Sequence, residues 1–401
     1  WLRPESAKTG GGGVWGTMSL DVTTGELFVP VGNPWPDLDV AYRPGDNLFT
    51  NSVVVLDART GQLKWWHQVA PRDALDFDIA AAPVLYRANN ARDLVVIGGK
   101  DGHLTAVDRD QKQRVFRTPV TTVQLPPKDI PREGVTVCPG YAGGVEWNGP
   151  AFDPVRKQLV VGAVDVCFLI KLGTTEYSPG AVSFGGTVEP VGDSTGWITA
   201  VDWETGAVRW KYHAEKPVVA GITPTAGGIT FAGDLAGNLL VFDSATGNVL
   251  HKASAGGAMA GGVVTYEQDG KQYVAFAAGN ISRNAFGDLG FPSVVIMALD
   301  AKPVAGAQPA MLRPAAGGNG SPNVAAGRRL YGQVCEACHG PDGNLIADKR
   351  LSTLASRLDR PATINYLKEP RAPMPKMYPD LLNEQNIQDV AAFLHEELQA
   401  R

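Results

Sequence analysis

The fold is decided by SVVVLDARTGQLKWW at residues 52–66, an apolar run that ends at Asp57 and is followed by a Thr-Gly pair and a second apolar stretch. This pattern predicts a β-hairpin whose tight turn needs a positive φ at Gly61. The same pattern recurs in three further segments, which are GHLTAVDRDQKQRVF (102–116), GWITAVDWETGAVRW (196–210) and GNLLVFDSATGNVLH (237–251). In the last two, Gly206 and Gly247 stand where Gly61 stands in the first.

These repeats are separated by other short, apolar, Gly-bounded segments such as LVVIGG (94–99) and QLVVGAV (158–164). Four short strands per unit with irregular spacing predict an all-β propeller, and an array of sandwiches is the alternative. Trp66 and Trp210 are expected to fill gaps between adjacent units.

The amino-acid composition argues against some classes of function. The 401 residues carry 36 Lys and Arg against 41 Asp and Glu, a net charge of −5, so a nucleic-acid partner is not expected. No long uncharged run is free of Gly and Pro, which argues against a transmembrane segment, and the first twenty residues lack the features of a signal peptide. The chain begins at Trp1, consistent with either a mature terminus or a truncation.

Strand signals stop near Leu299, and a Pro-, Gly- and Ala-rich stretch follows. We therefore predict a propeller domain over residues 1–300, a linker over 301–322 and a small helical domain over 323–401. Asn323 and Asn383 are placed to cap the first and last helices. The last helix is predicted from one apolar stripe, formed by Ile387, Val390, Ala391, Leu394 and Leu398.

The helical domain contains Cys335-Glu-Ala-Cys338-His339, a C-x-x-C-H motif. This spacing is typical of covalent haem c attachment, with the two thiols on the haem and His339 as a ligand of its iron. A zinc site would need a second ligand pair at similar spacing, and a thioredoxin motif would need a βαβ frame; neither is present in the sequence.

A second iron ligand is expected downstream of the haem motif, and Met374 is favoured over Met377, for which a packing role is the alternative. The segment resembles a class I cytochrome c domain, in which Gly327 would let the first helix cross the last beside Phe393. The remaining five histidines, which show no ligand spacing, are predicted to be surface or packing residues.

Four further motifs, in order, resemble the pyrroloquinoline quinone-dependent alcohol dehydrogenases. They are GGGGVW (10–15), VGNPWP (31–36), RPGDNLFTNS (43–52) and LDFD (75–78), and the resemblance extends from Gly10 to Leu299. It implies an eight-bladed propeller and, with the haem motif, a quinohaemoprotein with a C-terminal cytochrome c.

By position in the family's motifs, Trp15 is the stacking floor of the quinone and Asn33 is a metal ligand. Asp76 is the general base that takes the alcohol's proton, and it also contacts the metal. Lys100, in GGKDG, matches a basic residue near the quinone oxygens, and Glu146 stands where many members have an Asn that touches the quinone.

Asp78 resembles a second carboxylate of the lanthanide-using members, so Ca²⁺ is the expected ion and a lanthanide the alternative. Cys138 and Cys167 match the family's positions for a structural disulfide, with a free buried pair as the alternative. Haem attachment and a disulfide indicate an oxidising compartment, here the periplasm.

The chain also departs from the family, because Leu75 replaces a Trp usually found before the base. The family's adjacent cysteines, a Glu metal ligand and several quinone contacts lie upstream of GGGGVW, where this chain has nine residues. About five of eight blades are therefore expected here, as in a C-terminal fragment.

The resemblance implies oxidation of an alcohol to an aldehyde or ketone by hydride transfer to the quinone. Electrons would then pass through haem c to a soluble cytochrome c or copper protein. The alternative is a non-catalytic propeller scaffold that carries an electron-transfer cytochrome. An outer-membrane assembly scaffold would fit the repeats, but it would leave the haem motif without a purpose.

Overall fold

The computed structural model describes residues 1–89, 91–126, 130–131, 133–178, 184–279, 293–299, 301, 321–346, 349–371, 374, 376–379 and 382–398. It divides into two compact units. The first is Trp1–Ala277 with Val294–Leu299, and the second is Ala278–Ser293 with Asp300–Arg401. Most of the predicted linker, residues 302–320, lies outside the described residues, so the domain limits stay a prediction.

The first unit begins with a short 3₁₀ helix, Pro4–Lys8, and is otherwise built from five antiparallel sheets whose strands follow one another along the chain. The first sheet contains β1 (Ser19–Asp21), β2 (Glu26–Val31), β3 (Ser52–Asp57) and β4 (Leu63–Gln68). The second contains β5 (Val84–Arg87), β6 (Asp93–Gly98), β7 (His103–Asp108) and β8 (Arg114–Pro119).

The third sheet contains, in order, β10 (Pro150–Asp153), β11 (Gln158–Leu172), β12 (Gly186–Asp202) and β13 (Val208–Ala214). A fifth short strand, β9 (Val135–Val137), pairs with β11. The fourth sheet contains β14 (Thr223–Pro224), β15 (Ile229–Gly233), β16 (Asn238–Asp243) and β17 (Val249–Ser254). The fifth contains β18 (Val263–Gln268), β19 (Lys271–Ala278) and β20 (Ser293–Ala298). The all-β propeller prediction is confirmed, with these five sheets as its blades.

Apolar side chains form the cores between neighbouring sheets. Phe28, Val53 and Val55 of the first sheet pack with Val95 and Val107 of the second, and all five are buried. Separate buried clusters join the second sheet to the third and the third to the fourth. The first four blades are thus stabilised by the burial of apolar surface between neighbours.

The four repeated segments form the third and fourth strands of the first four sheets, and the predicted turns are confirmed. Gly61, Gly206 and Gly247 have φ values of 72°, 71° and 74°. The glycine of one turn also packs against an aromatic ring of the preceding sheet. A Cβ on Gly247 would lie 2.6 Å from the Trp210 ring, and a Cβ on Gly206 would lie 2.5 Å from the Phe116 ring.

The expectation for Trp66 was wrong, because Trp65 is the buried residue and Trp66 is 42% exposed. The Asp residue that ends each apolar run shows why: Trp65 stands eight residues after Asp57, as Trp210 does after Asp202. Strand alternation then turns Trp66 to the other face. Trp65 packs against Lys112, which has a φ of 60° and occupies the glycine position of the second repeat.

This packing predicts that a Gly→Ala substitution destabilises the protein more in one Thr-Gly turn than in another. Gly247→Ala should lower the free energy of unfolding by about 2–4 kcal/mol, since a positive φ and overlap with Trp210 both oppose the methyl group. Gly61→Ala is the matched control, because Gly61 has the same φ but open space around its Cβ position, and it should cost only about 1–2 kcal/mol. Urea unfolding followed by tryptophan fluorescence measures both, and equal costs would contradict the packing role.

Antiparallel topology also determines which loops meet. The connections from the second to the third strand of a blade, and from the fourth strand to the next blade, emerge at the same edge. Residues 32–51, 69–83, 99–102 and 138–149 belong to such connections, and residues 10–18 precede β1 at that edge. All the predicted quinone and metal residues therefore lie at one edge of the propeller, opposite the Thr-Gly turns.

The second unit is helical, with α1 (Val324–Leu330), a π-helical turn (Tyr331–Cys335), α2 (Glu336–His339), a 3₁₀ helix (Leu351–Ser356), α3 (Arg360–Lys368) and α4 (Glu384–Glu396). Asn323 and Asn383 cap α1 and α4 as predicted, through hydrogen bonds from Ala326 N and Asn386 N. The predicted stripe of α4 is buried in the core of this unit. No helix in the described part of the chain is long and apolar enough to span a membrane.

Candidate active site

The glycine stretch before β1 positions Trp15. Gly12 N donates to Asn33 O and Gly32 N donates to Gly13 O, both at 2.8 Å, so residues 10–15 run beside the segment that follows β2. Close approach explains the glycines, because a Cβ on Gly11 would lie 2.6 Å from Trp35 N. Trp15 is 49% exposed, which leaves much of its indole open, and its Nε1 lies 3.4 Å from Asp78 Oδ1.

Asn33 donates hydrogen bonds to two aspartates. Its backbone N–H donates to Asp78 Oδ1 at 2.8 Å, and its side-chain Nδ2 donates to Asp37 Oδ1 at 2.9 Å. Burial, outweighing the hydrogen bond from Asn33, raises the pKa of Asp37 to about 6. Glycine at position 32 leaves room for Asp78, because a Cβ there would overlap the Asp78 side chain and lie 3.4 Å from Trp15 Nε1.

Lys100 lies between the two aspartates of the LDFD motif. Its Nζ is 2.5 Å from Asp76 Oδ2 and 3.1 Å from Asp78 Oδ2, and all three side chains are buried. Burial by itself would lower the pKa of Lys100, but Asp76, Glu146 and Asp78 outweigh it and hold that pKa well above its usual value. Burial raises the pKa of Asp76, against the opposing charge of Lys100, so this carboxylate is a stronger base than an exposed one.

Glu146 completes the charged cluster. Burial raises its pKa to about 7, with Lys100 acting in the opposite direction. Val145 N donates to Gly99 O at 3.0 Å, which fixes the Glu146 segment next to Lys100. Lys100 Nζ also lies 5.4 Å from the centre of the Tyr141 ring.

Two buried residues that the sequence analysis did not assign hold the site loops together. Arg43 Nη2 donates to Asp37 O and to Asp73 O, each at 2.7 Å. Asp73 Oδ1 and Oδ2 accept from Leu75 N and Phe77 N, which holds the turn in which Asp76 has a φ of 63°. This conformation is uncommon for a non-glycine residue and is found often at functional sites.

The structure thus brings together the six residues predicted around the quinone and metal, which are Trp15, Asn33, Asp76, Asp78, Lys100 and Glu146. Sequence reasoning missed Asp37, Tyr141, Arg43 and Asp73. Asp37 comes directly after the VGNPWP motif, but nothing in the sequence distinguished it from an exposed acidic residue of a loop.

The oxygen donors in this cluster suit a hard cation such as Ca²⁺ or a lanthanide ion. Within the described residues no group of three or more His, Cys, Asp or Glu side chains is arranged around a shared ion position. Lys100 instead links the two aspartates. The oxygens of Asn33, Asp76 and Asp78 suit a hard cation by their chemistry, but their arrangement around one ion is not seen in the described residues, and this ligand set stays a prediction.

The disulfide is confirmed. Cys138 and Cys167 are bonded, with Cα atoms 4.4 Å apart. The antiparallel pairing of Val137 with Phe168 brings the two cysteines opposite each other at the end of β9. Tyr141 is held in the segment that follows, with its ring 6.2 Å from that of Phe168.

The haem motif begins at Cys335, the last residue of the π-helical turn, and continues through α2. Cys335 and Cys338 are free thiols, and Cys335 packs on the same apolar cluster as Met374 and Met377. Burial, with a contribution from Cys338, raises the pKa of Cys335 to about 12, unlike the lowered pKa of a redox-active C-x-x-C thiol. A buried thiol at Cys335, packed in an apolar cluster with two thioether side chains, fits a covalent haem.

Close packing of α1 against α4 agrees with the predicted cytochrome c fold of this unit. A Cβ on Gly327 would overlap the Asp389 carbonyl and lie 2.9 Å from Phe393 Cβ, so glycine is required where α1 crosses α4, as predicted. Tyr331 packs beside Phe393 with ring centres 5.2 Å apart, and its hydroxyl donates to Gly340 O just after the haem motif. The predicted packing role of His395 agrees with its contact to Thr363 Oγ1 at 2.8 Å.

Three family models match parts of the chain. Residues 1–136 match the glucose/ethanol/alcohol dehydrogenase β-propeller domain, and residues 322–394 match cytochrome c oxidase, cbb3-type, subunit III. Residues 192–283 match the outer membrane protein assembly factor BamB, within the same run of propeller sheets. Among curated proteins, quinohaemoprotein alcohol dehydrogenase ADH IIB of Pseudomonas putida is 27% identical over 89% of this chain and 58% of its own length.

The chain is similar in sequence to a quinohaemoprotein alcohol dehydrogenase and shares the fold of such enzymes. A lanthanide-dependent methanol dehydrogenase of Methylorubrum extorquens is 28% identical over 68% of this chain and 51% of its own length. The crystal structure of a quinohaemoprotein alcohol dehydrogenase from Comamonas testosteroni superposes with a TM-score of 0.68 at 22% identity, over 100% of this chain and 67% of that one. This chain spans a little over half the length of the curated quinohaemoprotein and methanol dehydrogenase relatives that it matches.

Proposed function

We propose that this chain forms the catalytic face and the cytochrome of a periplasmic alcohol dehydrogenase that uses pyrroloquinoline quinone. An alcohol is oxidised to an aldehyde or ketone at the Trp15–Asp76 edge of the propeller. The electrons leave through haem c in the helical unit to a soluble cytochrome c or copper protein. The single observation that carries the proposal is the buried Asp76–Lys100–Asp78 cluster beside the half-exposed Trp15.

When bound, the quinone supplies a two-electron hydride acceptor, the hard cation supplies a Lewis acid, and haem c supplies a one-electron carrier. Trp15 offers an open aromatic face for a planar ring system, and Lys100 places a buried positive charge beside it. Lys100 Nζ binds Oδ2 of Asp76, so Oδ1 is the oxygen that accepts the hydroxyl proton of the alcohol. Burial of Asp76 keeps water from competing for that oxygen.

In the helical unit, Cys335 and Cys338 would bond the haem, while His339 and Met374 would ligate its iron. In the propeller, Asn33, Asp76 and Asp78 would hold the cation. Ca²⁺ is one candidate. Asp37 and Glu146 are further buried carboxyl groups near these ligands, and a trivalent lanthanide is therefore tested beside Ca²⁺.

The test is reconstitution of the haem-loaded chain with pyrroloquinoline quinone, in parallel with Ca²⁺ and with a lanthanide salt. We expect quenching of tryptophan fluorescence as the quinone binds, and reduction of the haem absorption bands when a primary alcohol is added. The metal that supports tighter quinone binding identifies the preferred ion.

A chain that binds quinone but does not reduce its haem with any alcohol would contradict the catalytic part of the proposal. Failure to bind quinone with either metal would favour the non-catalytic scaffold. Trp15→Ala distinguishes binding of the quinone against Trp15 from binding elsewhere on the chain. It removes the aromatic floor and should abolish most of the quenching that the quinone causes.

A further inference from the structure

A polar cavity of about 470 Å³ lies in the first unit, away from the Asp76–Lys100 cluster. Its walls come from β4 and the residues after it, and from β7 and β8 of the next blade. The polar side chains that line it are His67, Gln68, Thr105, Gln113, Arg114 and Arg117. None of its described lining residues is an Asp or a Glu.

Strand alternation explains this convergence. Trp65 lies in the core between the first two blades, so His67, two residues further along β4, faces the second blade. On β7, Val107 belongs to the same core, so Thr105 faces the first blade. Thr105 pairs with Arg117 of β8, and the bulge that pairs Val107 with Arg114 brings the second guanidinium to the same face.

The charges in the cavity are unbalanced. Arg117 Nη2 is bound to the buried Asp101 at 2.7 Å, which fixes its guanidinium and leaves its other donors available. Arg114 has no ion-pair partner among the described residues. Burial, with the nearby charge of Arg114, lowers the pKa of His67 and favours its neutral ring, so the positive charge of the cavity comes from its arginines.

One further group lacks a partner. Thr105 is 2% exposed, and its Oγ1 is buried without a hydrogen bond in the described structure. A buried hydroxyl without a partner is destabilising, and such groups are rare in folded proteins. Thr105 lines the cavity together with two arginines, so an acceptor bound beside it could satisfy the hydroxyl.

We propose that this cavity is a binding site for a small oxyanion, either a dicarboxylate or a phosphoryl group. Arg114 and Arg117 donate charge-assisted hydrogen bonds to its oxygens, and Thr105 Oγ1 donates a third. The ligand would hold the first and second blades together. It would also contact Val69 and Pro71, which begin the connection that carries Asp73 and Asp76.

Isothermal titration calorimetry of the 401-residue chain tests the site, with sodium malonate and inorganic phosphate as probes at constant ionic strength in chloride. We expect saturable 1:1 binding of at least one probe, and the tighter probe identifies the ligand class. Arg114→Gln should weaken binding at least about tenfold, because it removes the unpaired positive charge. Thr105→Val keeps the side-chain volume and should weaken binding roughly threefold to tenfold.

Arg59→Gln is the matched control, since Arg59 is exposed in the turn after β3 and lies outside the cavity lining, and it should leave the affinity unchanged. Near-ultraviolet circular dichroism checks that each variant is folded. The proposal is overturned if neither probe gives a saturable isotherm. It is equally overturned if folded Arg114→Gln and Thr105→Val bind as the unsubstituted chain does, which would show an adventitious ion only.

Discussion

Asp76→Asn is expected to lower kcat for alcohol oxidation by at least about 100-fold in the quinone- and metal-loaded enzyme. The amide keeps the size of the side chain but cannot accept the hydroxyl proton, and general-base catalysis contributes about 10²–10⁴-fold to such rates. Lys100 would also lose the partner at 2.5 Å that fixes it in the site. Steady-state kinetics with an artificial electron acceptor measure the effect without depending on the haem.

Cofactor content must be measured beside the rate, because Asp76 is also a predicted metal ligand. Quinone absorbance and elemental analysis show whether the variant is loaded, and the rate is compared at equal loading. Asp46→Asn is the control, since Asp46 is an exposed acid in the neighbouring RPGDN stretch and its loss should leave kcat unchanged. A loaded Asp76→Asn enzyme within threefold of the normal kcat would rule out Asp76 as the base.

Much of the fold could be predicted because its signals are local. An apolar run, a terminal Asp and a positive-φ glycine lie within ten residues of one another, and each hairpin is decided by its own segment. The error at Trp66 shows the limit of this reasoning. Strand alternation makes a one-residue shift exchange the buried and exposed faces, and only the spacing from Asp57, counted residue by residue, selects Trp65 over Trp66.

The site was predictable in part for a different reason. Resemblance to a family selected Trp15, Asn33 and Asp76, and the structure brings them to one edge of the propeller. Arg43 escaped notice because its role is to donate to backbone carbonyls from two loops, at Asp37 and Asp73. Every residue has a backbone carbonyl, so hydrogen bonds to these acceptors cannot be predicted from residue types. An Arg in a Pro- and Gly-rich stretch therefore resembles an exposed loop residue.

The oxyanion cavity illustrates the same limit. Arg114 and Arg117 are three residues apart on one strand, which regular alternation would place on opposite faces. The β-bulge at the pairing of Val107 with Arg114 changes that geometry. Sequence periodicity alone could not have placed both arginines beside Thr105.

Replacing both haem-motif cysteines, Cys335→Ala with Cys338→Ala, is expected to abolish covalent haem attachment. The two thioether bonds have no other source in this unit, because the remaining cysteines form a disulfide in the propeller. Haem staining of a denaturing gel measures covalent attachment directly, since unattached haem is lost on denaturation. Covalent haem that persists in the double variant would contradict the assignment, whereas each single variant retains one possible bond.

The axial ligand can then be decided with a matched pair, Met374→Leu and Met377→Leu. Both thioethers are partly buried against the same cluster, and leucine conserves most of the volume, so packing changes are similar in the two variants. Loss of a thioether ligand should lower the haem midpoint potential by on the order of 100 mV, because this ligand raises the potential. We expect that shift in Met374→Leu and a nearly unchanged potential in Met377→Leu, measured by spectroelectrochemical titration. The reverse result would transfer the role of iron ligand to Met377, and equal small shifts would exclude both.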